Sequence, residues 1–313
     1  MNIDPALFRP DAVDQEAARF LAQLEAKLAE LPTPHETPVE ASRQARIEGR
    51  GVFPAAGPLP GSEWIDAPTA IGRARLTPAP GRATGLYIHI HGGGWTLGAP
   101  DQYDRWNQMM AAETGCAVLS LPYRLAPENP WPACADDVEE GALWALSVAK
   151  GFGAPKVVIG GESAGAHLSV VALLRLRAKE KLRQVVGANL SYGVFDLSLS
   201  PSARNWGKRQ VVLSTPTMGW FVRNLGGVDL SDPMINPILA ELSGMPPALF
   251  QVGTADPLLD DTLMMAARWA GSGTETELGV FPGGVHGFDM FDIGIGRKAR
   301  AASMAFVKAR LAA

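Results

Sequence analysis

The sequence predicts an α/β protein: a mostly parallel central sheet flanked by helices, with a helical cap. Three observations carry this reading. From Thr84 onward short apolar runs alternate with longer helical patterns, the order that builds parallel strands joined by helical crossovers. Runs such as Val157-Val158-Ile159 and Val118-Leu119-Ser120-Leu121 suit strands covered on two faces. Residues 195–236 break the alternation, placing Trp206, Val211, Leu213, Met218, Trp220, Phe221 and Val222 among Ser, Pro and Gly. A short connection would be usual there, so an insertion with its own helices is expected.

Taken in order, the chain opens with an amphipathic segment over residues 11–31. Ala17, Phe20, Leu21, Leu24, Leu28 and Leu31 recur at helical spacing, with Asp14, Glu16, Gln23, Lys27 and Glu30 between them. A Pro-rich, weakly patterned stretch follows over residues 32–80, in which the alternation at residues 72–77 suggests an edge strand. Strands are then expected at residues 86–90, 117–121, 156–159, 186–191, 248–252 and 277–281. Helices are expected at 104–114, 135–149, 163–181, 259–270 and 298–311. The resulting division has an N-terminal cap segment over 1–51, a main domain over 52–194 and 237–313, and a cap insertion over 195–236.

Composition narrows the function. A chain of 313 residues with 47% hydrophobic and 19% charged residues is large enough for one sizeable core and too apolar for a disordered chain. Lys+Arg number 28 against Asp+Glu 32, for a net charge of −4, which does not favour a nucleic acid or an anionic membrane as partner. Two cysteines, Cys116 and Cys134, make no disulfide framework and suit a reducing compartment. No run of eighteen uncharged apolar residues occurs, so no helix is expected to span a membrane. The first thirty residues are broken by Asp4, Arg9, Asp11, Asp14 and Glu16, unlike a signal peptide. A cytoplasmic protein is expected.

Two glycine-bearing motifs point to chemistry. Gly161-Glu162-Ser163-Ala164-Gly165 follows an apolar strand and opens a helix, the context in which G-x-S-x-G forms a sharp turn exposing a nucleophilic serine. The helix N-terminus beneath favours negative charge. His91-Gly92-Gly93-Gly94-Trp95 lies just past another strand. Consecutive glycines there free backbone N–H groups to converge on one spot, as an oxyanion hole requires.

A serine nucleophile needs a base, and the base needs an orienting carboxylate. Of the five histidines, His35 falls in the Pro-rich segment, where solvation is expected, and His89 alternates within a strand. His91 belongs to the glycine loop, and His167 sits among apolar neighbours four residues after Ser163. His286, in a loop past the 277–281 strand, is the best base. Asp256, just beyond the 248–252 strand, is the preferred carboxylate, with Asp260 and Asp261 as competitors that helix capping or ion pairing would also explain. All three chosen residues fall at C-terminal strand ends, where open α/β sheets bind ligands. His89-Ile90-His91 looks like a metal pair, but Gly93 stands where a third ligand would be expected, so no metal and no organic cofactor is predicted.

These motifs, with Tyr123-Arg124-Leu125-Ala126-Pro127-Glu128 between them and His286-Gly287-Phe288 at the end, resemble the hormone-sensitive-lipase-like esterases of the α/β-hydrolase superfamily, the bacterial family IV group. The resemblance spans residues 86–311. It implies an α/β-hydrolase fold and a serine carboxylic ester hydrolase acting on short- to medium-chain acyl esters through an acyl-enzyme. It implies Ser163, Asp256 and His286 as the triad, and the N–H groups of Gly93, Gly94 and Ala164 as the oxyanion hole. The 123–128 segment is structural in that family, so Arg124 and Glu128 receive no catalytic role. Dimers are common among such proteins, which leaves a homodimer open.

One departure is Glu162, where the family most often carries Asp or Thr. A carboxylate there is expected to pair near His286 or Asp256, or to accept backbone N–H groups, tuning the triad without replacing Asp256. Trp95, Trp206, Met218 and Trp220 are candidates for the substrate pocket. The same machinery could cleave an amide, formamide or lactone. A binding protein that has lost catalysis is disfavoured because the whole constellation is present.

Overall fold

The structure, a computed structural model, describes residues 3–153 and 155–313. Met1 and Asn2, in the expected cap segment, and Ala154, in the expected main domain, lie outside the described residues. Two N-terminal helices, α1 (Gln15–Ala29) and α2 (Val39–Ile47), precede the sheet. Next come β1 (Glu63–Asp66), β2 (Arg73–Thr77), β3 (Leu86–Ile90), α3 (Asp104–Thr114) and β4 (Ala117–Leu121). They lead into α4 (Ala133–Val148), β5 (Val157–Glu162), α5 (Ala164–Ala178) and β6 (Val185–Ser191). The expected insertion holds α6 (Pro201–Asn205) and α7 (Thr215–Asn224), and β7 (Ala248–Ala255), α8 (Leu259–Gly271), β8 (Thr276–Val285) and α9 (Gly294–Ala312) complete the fold.

The eight strands form one sheet in the order β1-β2-β4-β3-β5-β6-β7-β8. Strands β3 to β8 run parallel, and β1 and β2 are antiparallel additions. Alternate residues feed the two faces: Ile88, Leu119 and Ile159 join the core shared with α4, α5 and α8. Tyr87, Val118 and Val158 pack with residues of α3 and α9. Because the chain steps from β3 outward to β4 and then returns across β3 to β5, the loops after β3 and β5 are neighbours, with Ile90 paired to Gly161. A reversal of this kind opens the crevice in which α/β sheets hold ligands.

The strand expected at 72–77 is present, but it is internal rather than an edge. The edge belongs to β1, a four-residue segment too short and too polar to stand out in the Pro-rich stretch. Arg75 carries a charge within β2, and its guanidinium is buried against the fully buried Asp104, with Nη2 2.6 Å from Oδ2. A paired charge of this kind can sit inside a sheet where a lone one could not. Strands β5, β7 and β8 also continue three or four residues beyond their apolar runs, through Gly160-Gly161-Glu162, Gly253-Thr254-Ala255 and Pro282-Gly283-Gly284-Val285.

The insertion is pinned to the sheet by carboxylates of α8. Asp260 accepts the Ser202 N–H at 2.8 Å. Asp261 Oδ1 accepts the N–H groups of Phe195 and Asp196 at 2.7 and 2.8 Å. Burial pushes the Asp261 carboxyl up to about 7. The fold therefore favours the protonated acid, and that contribution is complete below the unfolded value of 3.8 and lost as pH rises through about 7. Asp261→Asn, which imitates the protonated form, should flatten the decline in melting temperature that this carboxyl contributes between about pH 4 and pH 7. Parallel melting curves for the two proteins check this, and identical slopes would contradict it.

Candidate active site

The sharp turn after β5 is built by two close approaches. A Cβ on Gly161 would stand 2.1 Å from the Ile90 carbonyl oxygen, and one on Gly165 would stand 1.9 Å from the same atom. Only glycine lets the turn settle onto the end of β3. Between them Ser163 takes φ 57° and ψ −122° at the head of α5, and its N–H donates to the Ser191 carbonyl at 2.9 Å. A non-glycine residue held at positive φ costs about 1–3 kcal/mol and persists where its surroundings over-determine it.

Asp256 and His286 follow the last residues of β7 and β8. Ser163 Oγ lies 2.9 Å from His286 Nε2, and His286 Nδ1 lies 2.9 Å from Asp256 Oδ2. Asp256 Oδ1 accepts the Leu258 N–H at 2.9 Å. A carboxylate at Nδ1 selects the tautomer that donates there, leaving the Nε2 lone pair to accept from the serine hydroxyl. Asp260 and Asp261 are engaged with the insertion, so of the three aspartates it is Asp256 that reaches the imidazole. Tyr192 packs edge-on against His286 with ring centroids 4.9 Å apart, and its hydroxyl donates to buried Asp289. Sequence patterning gave no sign of this support, because Tyr192 and Asp289 lie 97 residues apart.

The glycine loop is held from below. Gly93 has φ 123°, and a Cβ there would stand 2.0 Å from the Leu97 carbonyl oxygen. Glu162 Oε1 accepts the Gly92 N–H at 2.6 Å, and Oε2 lies 3.1 Å from His89 Nε2, whose Nδ1 is 2.7 Å from Ser120 Oγ. Glu162 thus pairs with neither His286 nor Asp256, and of the expected arrangements the backbone one is found. The N–H groups of Gly93, Gly94 and Ala164 donate to no protein acceptor among the described residues. His91 Nδ1–H donates to the Gly92 carbonyl at 2.9 Å, the ring stacks on Tyr123 at 4.2 Å, and Tyr123 Oη–H donates to the His91 carbonyl. Burial lowers His91 to about 3, which keeps it neutral.

The loop is also held from above, by a residue sequence reading missed. Arg43 of α2 donates from Nε to the Thr96 carbonyl and from Nη2 to the Ala126 carbonyl, both at 2.9 Å. It also grips Glu128 in a two-pronged ion pair at 3.0 and 2.8 Å. Arg124 binds Asp137 in the same way, so both charged residues of the 123–128 segment have structural partners. His35 is half-buried rather than solvated, its Nδ1 lying 3.0 Å from Thr217 Oγ1. That bond spans the N-terminal segment and the insertion, as does the Glu25–Arg209 ion pair at 2.9 Å.

A cavity of about 260 Å³ opens over Ser163 and His286. Its wall is mainly apolar and includes Leu28, Leu31, Phe53, Val212, Leu213 and Phe221. The four expected pocket residues stand elsewhere. Trp95 is buried beneath the glycine loop, where its Nε1–H donates to His167 Nδ1 at 3.1 Å. His167 in turn donates from Nε2 to the Ile235 carbonyl, and burial lowers it to about 4. Met218 points into the main core and Trp220 packs against it, whereas Trp206 lies beside Arg209. On α7 the neighbour Phe221 faces the cavity instead. Among the described residues no cluster of three or more metal-ligating side chains occurs, and no helix is long and apolar enough to cross a membrane.

Comparison with known proteins places the chain in a family. The profile of the alpha/beta hydrolase fold family matches residues 87–290. The carboxylic ester hydrolase LipN of Mycobacterium tuberculosis is 35% identical over 235 residues, which cover 71% of this chain and 62% of that protein. The ethyl acetate hydrolase of Pseudomonas putida is 30% identical over 217 residues, 67% of each chain. Among solved structures, a hyperthermophilic esterase from Pyrobaculum calidifontis superposes with a TM-score of 0.83 at 28% identity, covering 100% of both chains. A hormone-sensitive lipase from a metagenome library also gives 0.83, at 26% identity over 94% of this chain and 98% of that one. The chain belongs to the α/β-hydrolase family, and within it to the hormone-sensitive-lipase-like group.

The contacts at the turn are directly testable. Gly165→Ala forces a methyl group against the Ile90 carbonyl and should cost about 1–3 kcal/mol, the usual range for overpacking. Gly151→Ala, whose added Cβ would meet nothing within 4 Å, should change stability by less than about 0.5 kcal/mol. Denaturant titration of both proteins checks the contrast, and equal midpoints would contradict it.

Proposed function

We propose that this chain hydrolyses carboxylic esters of short- to medium-chain acids. Ser163 is the nucleophile, His286 the general base and acid, and Asp256 the carboxylate that orients it. The N–H groups of Gly93, Gly94 and Ala164 form the oxyanion hole. The observation that carries the reading is the hydrogen-bonded series Asp256–His286–Ser163, with both links at 2.9 Å, opening onto an apolar cavity of about 260 Å³ beside unengaged backbone donors.

The Ser163 hydroxyl attacks the ester carbonyl while His286 Nε2 takes its proton, and Asp256 stabilises the imidazolium. Charge collects on the carbonyl oxygen, where the three N–H groups receive it at the positive end of α5. The alcohol departs with the proton from His286, and water releases the acid by the same route. Each oxyanion donor contributes about 2.7–4 kcal/mol to such transition states. Residues 1–51 and 195–236 act as the cap: both supply cavity wall, and His35–Thr217 and Glu25–Arg209 join them. Free, buried Cys116 and Cys134 accord with a reducing compartment such as the cytoplasm, and the homodimer rests on the family resemblance alone.

Hydrolysis of p-nitrophenyl esters from acetyl to palmitoyl tests the reading. Activity should peak at short or medium chains and vanish in Ser163→Ala. A folded wild type inert on the whole series would contradict ester hydrolysis and direct attention to amides or lactones. A second comparison separates the two carboxylates. Asp256→Asn should lower kcat by about 10⁴-fold through the wrong imidazole tautomer. Glu162→Gln, which keeps an acceptor for the Gly92 N–H, should retain most of the activity. Equal losses in the two variants would place Glu162 in the triad.

A further inference from the structure

The cavity wall contains a guanidinium that the ester-hydrolysis chemistry does not use. Arg46 lies on α2, three residues beyond Arg43, whose four hydrogen bonds to Thr96, Ala126 and Glu128 fix the helix on the core. Ala41, Ser42, Ala45 and Arg46 therefore form one face of α2, and that face lines the cavity. The Arg46 guanidinium lies over two aromatic rings, 5.8 Å from the Phe53 centroid and 5.7 Å from that of Tyr103. Its Nη2 donates to Tyr103 Oη at 2.7 Å. Among the described residues its Nε and Nη1 donate to no protein acceptor, and it pairs with no carboxylate.

The other charges on the wall are accounted for. Glu162 is occupied by the Gly92 N–H and His89. Arg50 is exposed and paired with Glu48. The Phe53 ring under Arg46 also abuts Gly287, where an added Cβ would lie 2.6 Å from Phe53 Cε1. The guanidinium thus sits one aromatic ring from the loop carrying His286. A planar cation held by stacking and one hydrogen bond, with its Nε and Nη1 engaged by no protein acceptor among the described residues, matches a carboxylate. A substrate carboxylate can take up those donors, whereas a purely apolar substrate offers them no partner.

We propose that the cavity selects esters that carry a carboxylate, with Arg46 binding that group. The proposal rests on the ester-hydrolase reading and names its substrate class. Such substrates are half-esters of dicarboxylic acids, with the charge on the acyl side, or acyl esters of hydroxy acids, with the charge on the alcohol side.

The test measures kcat/KM by pH-stat for three esters of similar size. Ethyl butanoate is neutral, ethyl hydrogen succinate carries the carboxylate on the acyl side, and butanoyloxyacetic acid carries it on the alcohol side. In the wild type one of the charged esters should be preferred over ethyl butanoate, and which one identifies the side that Arg46 serves. In Arg46→Met the ratio of charged to neutral kcat/KM should fall about tenfold or more, the size of a lost charge-assisted contact. Arg46→Lys should recover part of it. A ratio that stays within twofold, or a wild type that disfavours both charged esters, would overturn the proposal. If the wild type cleaves none of the three, ester hydrolysis is what fails. Calorimetric titration of ethyl hydrogen succinate and butanoyloxyacetic acid into Ser163→Ala, with and without Arg46→Met, then decides the question: binding of either that depends on Arg46 supports it, and no such dependence refutes it.

Discussion

The carbonyl oxygen of Ile90, at the end of β3, is the point on which the catalytic end of the molecule is assembled. Gly161 and Gly165 both close onto it, at distances no side chain could tolerate. With the turn seated there, Ser163 is forced to positive φ and stands at the head of α5. The same carbonyl belongs to the strand that delivers the glycine loop, so Ser163 and the loop take their spacing from one contact. Sheet topology makes this available: β3 and β5 are neighbours in space although α3, β4 and α4 lie between them in the chain.

A second layer holds the glycine loop in shape without entering the chemistry. Glu162 takes the Gly92 N–H, and Tyr123 and His91 support the backbone beneath. Trp95 leans on His167, and Arg43 closes the loop from the cap side. The two histidines involved, His91 and His167, are kept neutral by burial. They serve as donors and acceptors of fixed sense, as a structural imidazole in a dry interior must. His286 differs in facing the serine and the cavity. One residue type therefore fills two roles, and the neighbours decide which.

Much of this was legible in the sequence. The spans of β3, α3 and β4 coincide with the apolar runs that suggested them, because strands buried on both faces and a helix between them leave unambiguous periods. Ser163, Asp256 and His286, which the structure brings into hydrogen-bonding contact, stood out because each follows a strand and is flanked by glycine or proline. What escaped was set by distant contacts. The short β1 has no pattern of its own, and Arg75 reads as surface until Asp104 is seen beside it. The helix α2 buries none of its residues fully and left no stripe to read. The pocket was misjudged for the same reason: aromatic content in the insertion marks what packs. Only the rotation of α7 shows that Phe221 faces the cavity while Met218 does not.

The proposed chemistry requires Ser163 to be activated by His286, and covalent labelling tests that most directly. Diisopropyl fluorophosphate should modify the protein at one site per chain, and peptide mass mapping should place the adduct on Ser163. His286→Ala should slow the labelling by orders of magnitude while the fold persists. An adduct on another residue, or labelling of His286→Ala at the wild-type rate, would contradict the account.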